Sequence, residues 1–240
     1  MLVAPAILLL AALPELAQHI LEIRIGMFDS LADARRLQHS PVRAYFGYSK
    51  IAGVWAAVFL IARFWSNGAS VRAAFAVPPR VLVKAVAGLA AMLATGFAVV
   101  KLLAIISPGL GIAASLVSGA IQAMIFLWVI GVWLDDRPIT LQEAFTSRAP
   151  NALALLVIFL ASIPVAQGLH ILIHKVVLGQ PQIVVWTLMM FDALVVVPLS
   201  AALKGSALFV GYRTAATWRG WGDGLRSKQP TVQPRRRRKK

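Results

Sequence analysis

Six stretches of this chain each run for about 20 residues or more with few charged side chains, close to the length a helix needs to cross about 30 Å of hydrocarbon. They are Leu2 to Glu22, Phe46 to Trp65, Val81 to Ile106, Leu110 to Leu134, Asn151 to Val177 and Ile183 to Tyr212. Backbone polar groups in oil must be paired within the protein, so such runs are read as helices. Composition agrees: 59% of residues are hydrophobic and 14% charged, against roughly 45–50% and about 25% in soluble domains. A soluble fold would have nowhere to put that much apolar surface. The expected fold class is all-α, a polytopic transmembrane helix bundle of six spans over residues 1–216, followed by a basic tail over 217–240.

The first run lacks the basic leading region of a signal peptide, and Pro14-Glu15 interrupts it, so it is read as a retained helix. An apolar run that begins at residue 1 is also what a chain with further residues upstream would show. Between the first two spans, Ser30 is placed to cap a short surface helix through Leu31, Ala34 and Leu37. Pro78-Pro79 halts any helix before the third span, Ser107-Pro108-Gly109 turns the third into the fourth, and Gly179-Gln180-Pro181 turns the fifth into the sixth. Asp135-Asp136-Arg137-Pro138 leaves the membrane, and Thr140-Leu141-Gln142-Glu143 has the spacing of a capping box.

Orientation follows from lysine and arginine, which favour the cytoplasmic side. The tail carries Arg226, Lys228, Arg235, Arg236, Arg237, Arg238, Lys239 and Lys240, so it is expected in the cytoplasm, with the N-terminus on the same side of a bacterial inner membrane.

 The first loop runs against this rule, since Arg24, Arg35, Arg36, Arg43 and Lys50 would then lie outside. Either the first segment enters and returns without crossing, or the second or sixth span is not a simple crossing.

Two stripes of small residues, Gly111, Ser115, Gly119 and Ala123 on the fourth span and Gly88, Ala91, Thr95 and Ala98 on the third, are expected to let helix backbones approach closely. Ionisable groups inside the spans are the strongest functional hint, because each needs a partner, water or a purpose. Asp192 lies well inside the last span. Glu15, His19 and Glu22 on the first span, Lys101 on the third, and His170 and His174 on the fifth fall at a similar depth. Glu15 and His19 are four residues apart, as are His170 and His174, so each pair shares a helical face. Glu15, His19, Lys101, His170, His174 and Asp192 could form one buried polar cluster for a proton, a cation or a metal of unspecified identity. The plainer alternative pairs Lys101 with Asp192 to hold helices together, while His174, Lys175 and Glu22 reach interfacial water. Lys84 and Lys204 are read as headgroup anchors, and Gln122 and Gln167 as bonds across helices.

The expected partners are membrane lipids, with anionic headgroups at Arg235–Lys240, and a protein partner. Trp218, Arg219 and Trp221 ahead of that run suit an interfacial belt. The run lacks interleaved aromatics, which disfavours nucleic acid. With no cysteine, a thiolate site or nucleophile is excluded. Common catalytic motifs are absent and no cofactor is expected, which disfavours an enzyme. Gly220-Trp221-Gly222-Asp223 resembles a motif of intramembrane aspartyl proteases, but there the motif belongs to a membrane helix and here it enters the basic tail. The proline-bearing first span, the surface segment and the loop Arg137-Pro138-Ile139-Thr140-Leu141-Gln142-Glu143-Ala144-Phe145 resemble bacterial membrane proteins grouped near the membrane domain of glycerophosphoryl diester phosphodiesterase. The resemblance implies a six-helix membrane domain without the phosphodiesterase activity. Two functional classes follow: a non-enzymatic scaffold or accessory component, and a small transporter or channel working through Asp192.

Overall fold

The computed structural model describes residues 4–106, 111–134 and 140–217. The turn at Ser107-Pro108-Gly109, the exit at Asp135–Pro138, the Gly220–Asp223 motif and the run Arg235–Lys240 lie outside the described residues, as do Trp218, Arg219 and Trp221.

Every described element is helical. In chain order they are α1 (Pro5–Arg24), α2 (Leu31–Leu37), α3 (Pro41–Ser66), α4 (Val71–Phe75), α5 (Pro79–Ile106), α6 (Gly111–Leu134), α7 (Leu141–Phe145), α8 (Ala149–Val176), α9 (Gln182–Phe191) and α10 (Val197–Thr217), with one π-turn, Asp192–Val196, joining the last two. Six helical runs are long and apolar enough to cross a bilayer, α9 and α10 together forming the sixth. The chain is a multi-pass integral membrane protein.

The local signals behave as their chemistry dictates. Ser30 accepts a hydrogen bond from the Asp33 amide and opens α2. The side chain of Thr140 accepts from the Glu143 amide, while the Glu143 carboxylate accepts from the Thr140 amide, completing the capping box of α7. Gly179 adopts a left-handed φ of 71° at the turn before α9, a conformation that excludes most side chains. The short helix α4 carries no apolar periodicity long enough to have been recognised beforehand.

Residue contacts set the directions of the helices. Arg43 meets Glu22 and Lys50 meets Glu15, so α1 and α3 are antiparallel. Asn151 meets the Ala215 carbonyl and His170 meets Asp192, so α8 runs against α9–α10. His19 meets Asp192 while Ala4 and Leu8 share a cavity wall with Leu203 and Ser206, so α1 also runs against the last span and α3 is parallel to α10. The hairpin α5–α6 joins this four-helix assembly through contacts of α6 with α8 and α3. The first segment is thus a helix of 20 residues and not a re-entrant loop. In and beside the basic first loop, Arg36, Arg43 and Lys50 are paired with Asp33, Glu22 and Glu15.

Close approach also occurs at glycines outside the expected stripes. At Gly53 an added Cβ would strike the Leu10 carbonyl oxygen and come within 2.9 Å of Pro14 Cγ. Pro14 has no N–H to give to the carbonyl four residues earlier, so α3 packs against the place where the α1 ladder is interrupted. Gly205 is similarly pressed against Ile61 and Val58 on α3. Of the two expected stripes, Gly88 meets Trp128 and Val129, whereas a Cβ on Gly119 would meet nothing. The contact between α5 and α6 also runs through Gly96, Ser118 and Gln122. Gln122 bonds to Ser118 on its own helix, and Ser118 reaches across to the Gly96 carbonyl.

Arg63 is buried, with no carboxylate beside it among the described residues. Its guanidinium donates to the carbonyls of Trp133, at the end of α6, and Ala76, just past α4. Helix C-termini leave carbonyls unpaired and carry partial negative charge, so this arginine closes two helix ends at once.

Candidate functional site: a buried histidine–carboxylate cluster

Three spanning segments converge on one point. The proline-containing helix α1 supplies Glu15, Gln18, His19 and Glu22, the proline-containing helix α8 supplies His170 and His174, and the last span supplies Asp192. Asp192 lies ten residues, about 15 Å along the helix, from the start of α9 at Gln182. It occupies the first position of the π-turn, where the Val197 amide donates to the Asp192 carbonyl. Pro198 follows and cannot donate, so a wider turn before it has a local cause. π-turns within α-helices occur often at functional sites.

Asp192 is fully buried, as are Glu15, His19 and Glu22. One oxygen of Asp192 lies 2.7 Å from His170 Nδ1, 3.0 Å from His19 Nε2 and 3.6 Å from His174 Nε2. His19 Nε2 also lies 3.2 Å from Glu15, and its Nδ1 lies 3.2 Å from Glu22. Behind these, Gln18 and Arg43 both donate to Glu22, at 2.6 and 2.7 Å, and Lys50 donates to Glu15 at 2.8 Å. The imidazole rings of His170 and His174 stand edge to face at 4.5 Å, and Phe28 covers His174.

The electrostatics are unbalanced. Glu15, Glu22 and Asp192 face the two permanent cations Arg43 and Lys50, so with neutral imidazoles the group is one positive charge short. The shortfall falls at Asp192, whose polar neighbours are all histidines. When His19 gives its Nδ1 hydrogen to Glu22, a bare Nε2 lone pair faces oxygens of Glu15 and Asp192. Lone pairs at such distances repel unless a proton or a metal ion sits between them. Glu15 Oε2, Asp192 Oδ1 and His174 Nε2 are buried and without a hydrogen-bond partner, so the cluster has unused ligating capacity.

Five of the six residues expected in a polar cluster come together here: Glu15, His19, His170, His174 and Asp192. Lys101 does not. It lies exposed on α5, over the ring of Phe97 on the same helix, and α5 packs against α6. Similar depth in the membrane did not amount to proximity, and the Lys101–Asp192 pair does not form. Glu22 belongs to the buried group and does not reach for interfacial water. Lys204 is also buried and not at the headgroups; it lines a cavity of about 270 Å³ with Lys50, Gln167, Trp55 and Phe159. Arg43, Lys50 and Gln18 were not singled out as site residues, although an intramembrane carboxylate pattern on α1 implies that cations should be sought on its neighbour.

Comparison of the chain with protein-family models, curated proteins and solved structures finds no match.

Proposed function

We propose that this chain is a small membrane transporter or channel that takes up and releases a cation at the Asp192 cluster. The observation that carries the reading is the missing positive charge among Glu15, His19, Glu22 and Asp192, all fully buried among spanning helices. A site that must hold a cation, but has no permanent one at its centre, is suited to exchange. Pro14, Pro164 and Pro198 interrupt the backbone ladders of the three contributing spans, and interrupted helices near the membrane interior are a recurring feature of transporter sites. The C-terminal basic run would face the cytoplasm and attract anionic lipid.

Purified protein reconstituted in liposomes tests this. Wild type should carry protons or divalent cations down an imposed gradient, and Asp192→Asn should abolish the flux while remaining folded by size-exclusion chromatography. Absence of flux of either kind in the wild type overturns it. The second reading, a non-enzymatic scaffold or accessory component, is favoured by the same contacts seen as braces, since they tie α1 to α3, α8 and the last span. It requires that Asp192→Asn lose folding and that the wild type carry no ion.

A further inference from the structure

The cluster has the donor set and spacing of a specific kind of cation site. Glu15, His19, His174 and Asp192 each offer one ligand atom, and the four atoms lie within 4.8 Å of one another. Three of the six separations among these atoms, 3.0, 3.2 and 3.6 Å, bracket the edge of a tetrahedron whose centre is about 2.1 Å from each corner, which is about 3.4 Å. Two imidazole nitrogens and two carboxylate oxygens suit borderline divalent ions such as zinc; alkali and alkaline-earth ions favour oxygen alone. The carboxylates of Glu15 and Asp192 are fully buried; the oxygens in these separations, Oε1 and Oδ2, also meet Lys50 and His170, and the second oxygen of each has no partner.

The surrounding residues form the support that a metal-bound histidine ordinarily has. A ligating imidazole donates its other nitrogen to a carboxylate, which fixes the ring and its tautomer. Glu22 stands in that position behind His19 at 3.2 Å and is itself held by Gln18 and Arg43. His170 holds Asp192 from the side at 2.7 Å. All four coordination corners come from protein, the arrangement of a closed site and not of a catalytic one, which keeps a corner for water.

We infer that Glu15, His19, His174 and Asp192 bind one divalent first-row transition-metal ion of the zinc type, with Glu22 and His170 as outer supports. This rests on, and narrows, the cation reading of the same cluster. The ion would compete with the ammonium of Lys50 for Glu15, because both approach that carboxylate and Lys50 retains access to the surface with 23% of its side chain exposed.

The test uses the full chain in mild detergent, stripped with a chelator and titrated with Zn²⁺ and with Co²⁺ as a spectroscopic probe. Expected are one Zn²⁺ per chain by elemental analysis, the intense visible bands of four-coordinate cobalt, and a first shell of two nitrogens and two oxygens by X-ray absorption on the wild type. His174→Ala and Asp192→Asn should each abolish the cobalt bands, Glu22→Gln should weaken binding about 10-fold or more, and Lys50→Met should tighten it. His39→Ala, in the exposed surface segment, should leave it unchanged. Should the ligand variants not fold, the wild-type absorption data decide alone. A folded wild type that binds no zinc, or an ion whose first shell lacks nitrogen, overturns the inference. Proton flux that depends on Asp192 without bound metal sinks the metal site but keeps the transport reading; stoichiometric zinc at these ligands without any flux does the reverse.

Discussion

Asp192 shows what burial does to a single carboxylate. In water its charge is solvated on all sides; here it depends on three imidazoles for every polar contact. Where a proton or a metal ion supplies the missing positive charge, removing the Asp192 charge leaves that buried cation uncompensated, an effect of about 3–5 kcal/mol. Asp192→Asn keeps the shape and removes the charge, so the unfolding free energy in a denaturing-detergent titration should fall by about that much. A change under about 1 kcal/mol would mean that the carboxylate carries no such load. The residues of this site were visible in the sequence to the extent that polarity stood out against oil. Glu15, His19, His170, His174 and Asp192 interrupt apolar runs, and their four-residue spacing put them on shared faces. Glu22, Arg43 and Lys50 sit where a span meets a polar loop, and there a charge has an innocent explanation. Arg63 lies near the end of α3 and has the same disguise, yet it is buried under two helix termini.

Among the elements, α1 and α3 depend on the pairing of Pro14 with Gly53. The contact brings Lys50, one turn before Gly53 on α3, within reach of Glu15. Gly53→Ala would force a methyl group onto the Leu10 carbonyl and the Pro14 ring, and overpacking of this kind destabilises by about 1–3 kcal/mol. The measurable outcome is a lower thermal midpoint in detergent; an unchanged midpoint would show that the helices slide apart freely. Helix α7 makes a separate prediction because its cap is ionic. The Thr140 amide and hydroxyl donate to Glu143 and hold its carboxyl below the usual glutamate range. A depressed value means that the cap stabilises fully above the ordinary glutamate range and fades as pH falls through the lower, folded value. A carboxyl-carbon NMR titration should place Glu143 below the unfolded glutamates; titration at their value counts against the cap. This motif was legible because all its parts lie within four residues. The small-residue stripes were legible only in part, Gly88 meeting α6 and Gly119 meeting nothing, since which face of α6 meets α5 depends on helix rotation, and spacing alone does not record rotation.

At the scale of the molecule, the chain alternates between two ends. The α1–α3 connection and the α8–α9 turn lie beside the cluster and are joined by a hydrogen bond from the Gly179 amide to the Phe28 carbonyl. The α3–α5 connection and α7 lie at the opposite end. Because the sequence contains no cysteine, single cysteines can report this arrangement without background. His39→Cys and Gln180→Cys should react with a membrane-impermeant thiol reagent from one side, and Arg72→Cys and Gln142→Cys from the other. Labelling of all four from the same side would refute the alternation of spans. The number of spans could be read from hydropathy because crossing a bilayer is a local demand on length and polarity. Which spans touch is a non-local outcome, and that is why Lys101 was assigned to a group it never meets.

The π-turn at Asp192–Val196 also acts as a phase setting for the last span. Each residue of an α-helix advances its side chain by about 100°, so the extra residue in that turn decides how the segment before it is rotated relative to the segment after it. A chain shortened by one residue between Ala193 and Val196 would keep its hydropathy, its net charge and its sixth crossing. With α10 still seated on α3 and α8, its aspartate would point about a quarter-turn away from the three histidines.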